Sequence, residues 1–479
     1  MKDRRLQSLR AMAALLLCSF LLCGCGATPI DTRSESPLLR VLLLRDYNTR
    51  VVILGATLLG TGAGFVGCFT LLRRRALTGD ALSHATLPGV GLAFLLAPVA
   101  GLDGKSLPVL LFGAAVSGGL GVVAILTIRA LPRLKEDAAL GIVLSVFFGA
   151  GIAILSIAQQ LESGHLAGLE SFIYGRTALM TASDARLIAW SGVAATATLF
   201  VFYRQFTLLC FDDGFAASRG YPVALLDVLL MTVVMLITIA GLQAVGLVLM
   251  IALLVIPPAA ARFWTHQLHR MVLISAAIGS LSGLIGSAIS GVFADLPSGA
   301  VIVLVCAGLF FFSLMFGGAR GVFVRALRRR VLRQAIDREH LLRGIYELRE
   351  QELRERESQP RPAAARLTEL HELRTWTVRQ LQRQISRCES EGLVWRRADG
   401  EIELTERGLI EAERLVHNHR LWELYLMTHA DVAASRVDRQ ADAVEHVLEP
   451  ALIARLEQLM EQERGRRIIP QSPHAKEVS

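Results

Sequence analysis

The chain has 479 residues, of which 53% are hydrophobic and only 19% are charged, against about 25% charge in a typical water-soluble domain. The charge is segregated: residues 320–479 are dense in Arg and Glu, while charge-free runs of about 17 to 24 residues recur upstream, each enough to cross roughly 30 Å of hydrocarbon. The pattern excludes a simple soluble enzyme and a purely membrane-embedded protein, and it makes the net charge of +8 an orientation signal before a nucleic-acid one.

Residues 1–30 read as a basic n-region followed by an apolar h-region, the form of a secretory signal. Leu22-Cys23-Gly24-Cys25 resembles a bacterial lipobox, which would make Cys25 the lipidated residue. An uncleaved signal-anchor helix with incidental cysteines is the alternative, and both stay open. The following charge-free stretches are 51–72, 81–102, 106–128, 138–161, 187–203, 228–261, 271–294 and 296–319. The 228–261 run is long enough for two short helices with a break near Gly241-Leu242-Gln243, so nine spans are expected over 50–320. Open backbone cannot face lipid, so these runs are helices. The expected fold is therefore an all-α polytopic membrane protein, a helical bundle of about nine spans. Gly55, Gly60, Gly62, Gly64, Gly118, Gly119, Gly121, Gly279, Gly283 and Gly286 fit close helix–helix packing.

Basic clusters at Arg73–Arg75, Arg129 to Lys135, Arg204, Arg262 to Arg270 and Arg320 to Arg330 fall on one side under strict alternation. The positive-inside rule makes that side the cytoplasm and puts the C-terminal region there too. The 7 cysteines are scattered, with no CxxC pair, and suggest neither disulfides nor a thiolate zinc site.

Three segments near the cytoplasmic ends of the spans carry chemistry. In Gly79-Asp80-Ala81-Leu82-Ser83-His84, Asp80 and His84 sit at i and i+4 on one helix face. A carboxylate with an imidazole suits Mn, Zn or Fe(II), and an ionisable pair entering a membrane helix usually faces a pathway. Equally, Asp80 could cap the positive end of a helix. The segments 134–141 and 211–220 are short, amphipathic and rich in Ala and Gly, suited either to a groove on a partner protein or to plain interhelical loops.

Residues 321–365 read as a charged helical linker that stops at Gln359-Pro360-Arg361-Pro362. A second unit follows over 366–460, with a disordered tail expected at 461–479. In that unit an amphipathic helix ends at Gly392, a hairpin signal surrounds Ala398-Asp399-Gly400, and another helix follows. This is the order of a winged helix. Arg379, Arg383 and Arg387 recur at i+4, a spacing that can face phosphates but is more simply a solvated face. His419 and Glu423 stand at i, i+4; Asp438, Asp442, Glu445 and His446 share one further helix face. Such a mixed carboxylate and imidazole set suits Mn(II), Fe(II) or Zn(II), the plain alternative being an acidic surface with His–Glu pairing.

The motifs GDALSHATLPGVGLAF, KEDAALGIVLS, LESFIYGRTALMTASD, FDDGFAASRGYPV and GLVLMIALLVIPPAAAR occur in this order over about 50–320. Together they resemble the permease subunits of zinc/manganese/iron ABC transporters. The resemblance implies a channel of two permeases (a second copy or a paralogue), a separate ATPase inside and a metal-delivering binding protein outside. It implies that Asp80 and His84 lie on the metal path and that Asp212, Asp213, Ala216 and Gly220 belong to the loop that meets the ATPase. No GxxxxGK[ST] sequence is present, so ATP hydrolysis falls to a partner and the chain is not expected to be an enzyme. Residues 337–460 resemble the diphtheria toxin repressor family of metal-dependent regulators, on LTERGLIEAERLVHNHRLWELYL, VDRQADAVEHVLEPALIARLEQLM and IYEL. That resemblance implies Asp442, Glu445 and His446 as core metal ligands and His419, Glu423 and Asp438 as second-site ligands. His340 stands where the family places Met or Asp, and Arg343 where manganese-type members place a carboxylate. The recognition-helix region aligns only with shifts, which weakens the expectation of DNA binding. The expected function is an importer permease for Mn, Zn or Fe in the bacterial plasma membrane, with that metal as substrate and regulatory ligand. A membrane-tethered metal-dependent transcription regulator and a siderophore or vitamin permease are the rivals.

Overall fold

A computed structural model describes residues 46–73, 75, 77–101, 106–131, 134, 136–160, 177, 180–293, 296–355, 365–373, 376–398, 400–429, 453, 455–456 and 458. The chain divides into two units, Met1–Arg325 and Ala326–Ser479. The signal-like residues 1–30, the tail 461–479, and Asp438, Asp442, Glu445 and His446 lie outside the described residues.

The first unit is built from helices that follow the apolar runs. They are α1 (Tyr47–Leu72), α2 (Thr78–Ala85), α3 (Leu87–Leu96), α4 (Leu107–Arg129), α5 (Glu136–Gln160) and α6 (Ala182–Val201). Then come α7 (Tyr203–Phe211), α8 (Asp213–Ser218), α9 (Val223–Val245), α10 (Leu247–Ala261), α11 (Leu268–Val292) and α12 (Ser298–Phe316).

The expected nine spans are not reproduced. Among the described residues six helices (α1, α4, α5, α9, α11 and α12) are long and apolar enough to cross a membrane, or seven if the bent pair α6 and α7 counts as one span. Three helix breaks account for the difference. The 81–102 run breaks at Thr86, just before Pro88, which sits in the first turn of α3 and removes an N–H donor. The chain bends by 73° between α6 and α7. The 228–261 run breaks at Gly246 rather than near Gly241: Gly246 adopts φ 82°, open to glycine but strained for other residues. That leaves α10 with 15 residues, about 22 Å at 1.5 Å per residue, short of the hydrocarbon thickness.

α1 is the axis of this unit, packed on α6, α9, α10 and, most extensively, α11. The α1–α11 crossing is made of backbone. A Cβ on Gly60 would lie 2.1 Å from the Gly279 carbonyl oxygen, and one on Gly283 would lie 2.3 Å from that of Ala56. Ser275 Oγ donates to the Gly64 carbonyl at 2.6 Å. This is the small-residue packing expected where lipid supplies no hydrophobic drive between helices. Phe69, Phe206, Leu59 and Met231 fill the interior, while Phe112, Trp190, Leu304 and Phe311 point outward. Outward apolar side chains suit a hydrocarbon surround.

The second unit contains α13 (Val322–Glu355) from residue 326 onward, α14 (Leu367–Leu373), α15 (Val378–Ser390), β1 (Val394–Arg396), β2 (Ile402–Leu404) and α16 (Glu406–His429). Thr377 and Gln380 close a capping box at the start of α15. β1 and β2 pair antiparallel in the register Val394↔Leu404 and Arg396↔Ile402, and Ala365 bridges to Ile402. Leu381, Ile385 and Cys388 form the buried stripe of α15; they meet Leu341, Leu342 and Ile345 of α13 and Ala412 of α16. Burial pushes the Cys388 thiol up to about 11, the character of a packing residue rather than a zinc thiolate.

Candidate functional site

Asp80 and His84 stand on α2, the short helix before the Thr86 break. Their spacing stacks them on one face, with His84 Nε2 3.3 Å from Asp80 Oδ1. Asp80 is in the first turn, where the dipole favours a carboxylate, but α2 has no side-chain cap bond, so capping does not occupy it. His84 Nδ1 is buried and has no hydrogen-bond partner among the described residues. Leaving such a group unpaired costs about 1–3 kcal/mol, which a ligand on that nitrogen would recover. The ring meets Phe148 of α5 edge-on, 4.8 Å between centroids. Ser117 Oγ on α4 donates to the Ala85 carbonyl at 2.5 Å and ties down the far end of α2. Chemically this is a fixed carboxylate–imidazole pair at a helix discontinuity inside a bundle.

The 211–220 segment folds as the end of α7, a tight corner and α8. Asp212 caps α8, accepting from the Phe215 amide at 2.8 Å. Ala216 is fully buried, and Gly220 ends the helix with φ 81°. Phe211 and Phe215 stay 67% and 50% exposed, an aromatic surface without cover among the described residues. Asp213 is turned back to Arg73 Nη1 at 3.1 Å.

That contact opens onto a network the sequence reading did not find. Asp227, 3% exposed at the start of α9, receives three arginines. Arg75 grips both its oxygens at 3.1 Å. Arg129 of α4 reaches Oδ2 at 2.7 Å, and Arg73 reaches it at 3.4 Å. Arg73 also donates to the Leu209 carbonyl of α7 at 2.8 Å. One carboxylate thus gathers the ends of α1, α4 and α9, and Arg73 extends the network to α7 and α8. By sequence alone these arginines mark only topology. The available signal was Asp227 itself, an acid at the mouth of a 34-residue apolar run (228–261), where an ionisable group is costly and needs a partner.

In the second unit His419 and Glu423 of α16 are each 3% exposed and stand 3.4 Å apart. Arg343 of α13 places Nη1 2.7 Å from His419 Nδ1, with its Nε 3.4 Å from Glu347. Arg420 pairs with Glu350 beside them. His340 lies half-buried on α13. Among the described residues no group of three or more His, Cys, Asp and Glu is gathered closely enough to hold a metal ion, here or at α2.

Comparison with known proteins agrees with this division. Residues 45–317 match the ABC 3 transport family, and residues 405–465 match the iron dependent repressor, metal binding and dimerisation domain. The manganese transport system membrane protein MntC of Bacillus subtilis is 36% identical over 83% of this chain and 88% of its own length. The zinc transport system membrane protein TroC of Treponema pallidum is 40% identical over 60% of this chain and 95% of its own. The structure of PsaBC from Streptococcus pneumoniae in complex with Fab superposes with a TM-score of 0.52 at 29% identity, covering 61% of this chain and 99% of that one. With a bundle that matches over its full length and a repressor-type module behind it, the chain belongs to the ABC 3 transport family and carries a C-terminal iron-dependent-repressor domain.

Proposed function

We propose that this chain is the permease subunit of an ATP-binding cassette importer that moves a divalent transition metal (Mn, Zn or Fe) into the cytoplasm. The observation that carries the reading is the Asp80–His84 pair, fixed at 3.3 Å with an unpartnered His84 Nδ1 beside it. Two protein donors leave most of the cation's coordination shell to water. That suits transient passage, which needs binding weak enough to release, where a structural site would use four protein donors. A separate ATPase supplies hydrolysis, and the exposed Phe211 and Phe215 with Asp212, Asp213 and Gly220 form its docking surface, while Ala216, fully buried, packs beneath that surface instead of belonging to it. A second permease copy or a paralogue and an extracytoplasmic metal-binding protein complete the assembly. The relatives named for manganese and zinc transport support the substrate class.

The test is metal uptake into vesicles containing the whole assembly. D80N and H84Q each remove a donor without removing packing volume; uptake falls at least tenfold while ATPase binding persists. Uptake at the unsubstituted rate in both variants would remove the pair from the pathway.

In the same proposal the C-terminal unit is cytoplasmic, forms a winged-helix and metal-sensing domain over 366–460, and responds to metal through Asp438, Asp442, Glu445 and His446. Accumulated metal then slows transport. Ending the chain after Phe323 yields uptake that no longer declines as internal metal rises; a decline matching the full chain would sink this role. The rival reading as a tethered transcription regulator is weaker, because the six membrane-long helices among the described residues exceed what an anchor needs.

A further inference from the structure

The repressor-type module carries a candidate metal pair, His419 and Glu423, that the family match places inside a metal-binding domain. We infer that in this chain the pair binds no metal, because the Arg343 guanidinium occupies the cation position permanently and makes the α13–α16 contact independent of metal. Donor chemistry carries the inference. A guanidinium has only donors and keeps its proton in proteins. Arg343 Nη1 lies 2.7 Å from His419 Nδ1, so Nδ1 must present its lone pair to arginine. The ring proton is then on Nε2, which faces the Glu423 carboxylate at 3.4 Å. Nδ1 gives its lone pair to arginine and Nε2 carries the proton, near Glu423 Oε1 but without hydrogen-bond geometry; neither nitrogen keeps the free lone pair through which an imidazole ligates a metal.

Charge balance points the same way. Arg343 and Glu423 are both buried, and Arg420, also buried, adds a second positive charge nearby, paired with Glu350. Glu347 approaches the guanidinium from its more exposed side. A divalent ion entering here would meet a fixed positive charge at hydrogen-bond distance from its proposed ligand. Repulsion at that separation in a buried site far exceeds its value in water. The arginine also does mechanically what a bridging ion does, joining α13 to α16 through a directional contact. The inference stands whether or not the module regulates transport.

Cobalt(II) titration of the full-length chain in detergent, read by visible absorption and bound-metal stoichiometry, tests it. H419Q and E423Q are expected to leave the stoichiometry of the unsubstituted chain unchanged. R343E removes the guanidinium and adds a carboxylate; it is expected to gain one equivalent of cobalt, and R343E/H419Q to lose that equivalent again. A fall in stoichiometry in H419Q or E423Q alone overturns the inference. So does an R343E chain that elutes and melts as a folded protein yet gains no cobalt. Should R343E fail to fold, R343M, which keeps the apolar stem and removes the charge, serves in its place with the same outcomes.

Discussion

Replacing Asp227 with asparagine is expected to abolish uptake and to lower the melting temperature of the detergent-solubilised chain more than removal of any one of its arginine partners. Asp227 and Arg75 are each 3% exposed, and Arg75 uses both arms of its fork on the carboxylate. Asparagine keeps one acceptor and turns an NH2 donor toward a guanidinium that cannot give up its proton. Arg75 then stays buried against a neutral amide in place of the carboxylate that both arms of its fork now hold. Breaking one side of a buried ion pair costs about 3–5 kcal/mol. R129Q is the control: Arg129 is 27% exposed and makes one short contact to Asp227, so its loss is partly answered by solvent. The functional loss follows from Arg73, which also holds Asp213 on α8 and the Leu209 carbonyl on α7. Loosening this hub detaches the surface proposed to receive the ATPase from the helix that leads to Asp80. A D227N chain that melts and transports like the unsubstituted one would show that the hub is ornamental.

What could be read in the sequence was what depends on near neighbours. Asp80 and His84 are four residues apart on a helix, and the structure places them 3.3 Å apart; His419 and Glu423 follow the same rule. The apolar runs became helices because length and hydropathy are local properties. Bends are not. Gly241 and Gly246 are equivalent in the sequence, yet Gly241 stays helical and packed, with Met250 Sδ 2.4 Å from where its Cβ would be, and only Gly246 takes the positive φ. Counting charge-free residues therefore gives nine spans where six or seven helices qualify among the described residues. The charged hub was hidden because Asp227 meets arginines 98, 152 and 154 positions away. Arg343 was legible as a departure from the metal-site pattern, but its contact with His419, 76 positions on, was not.

The second large effect is expected at Gly279. A single methyl there would lie 2.1 Å from the carbonyl oxygen of Gly60, and the reciprocal methyl on Gly60 would lie 2.1 Å from the carbonyl of Gly279. Two terms of opposite sign compete in G279A. Alanine favours the helix over glycine by about 1 kcal/mol. Overpacking costs about 1–3 kcal/mol in a core that can adjust side chains, and here the obstacle is backbone, which has no rotamer to change. The steric term wins, so G279A destabilises and G279L more so. Gly308 on α12 gives the opposite expectation from the same substitution: among the described residues nothing lies within 4 Å of its would-be Cβ, so G308A keeps the helix-propensity gain and melts at or above the unsubstituted chain. Melting in detergent, with uptake alongside, distinguishes the two; equal behaviour of G279A and G308A would mean that α1 and α11 do not cross this closely. The displacement reaches function because Arg73 directly follows α1 and the chain runs on to α2. Forcing α11 away from α1 therefore disturbs the charged hub and the Asp80–His84 pair together, and G279L is expected to lose uptake even in the fraction of protein that stays folded.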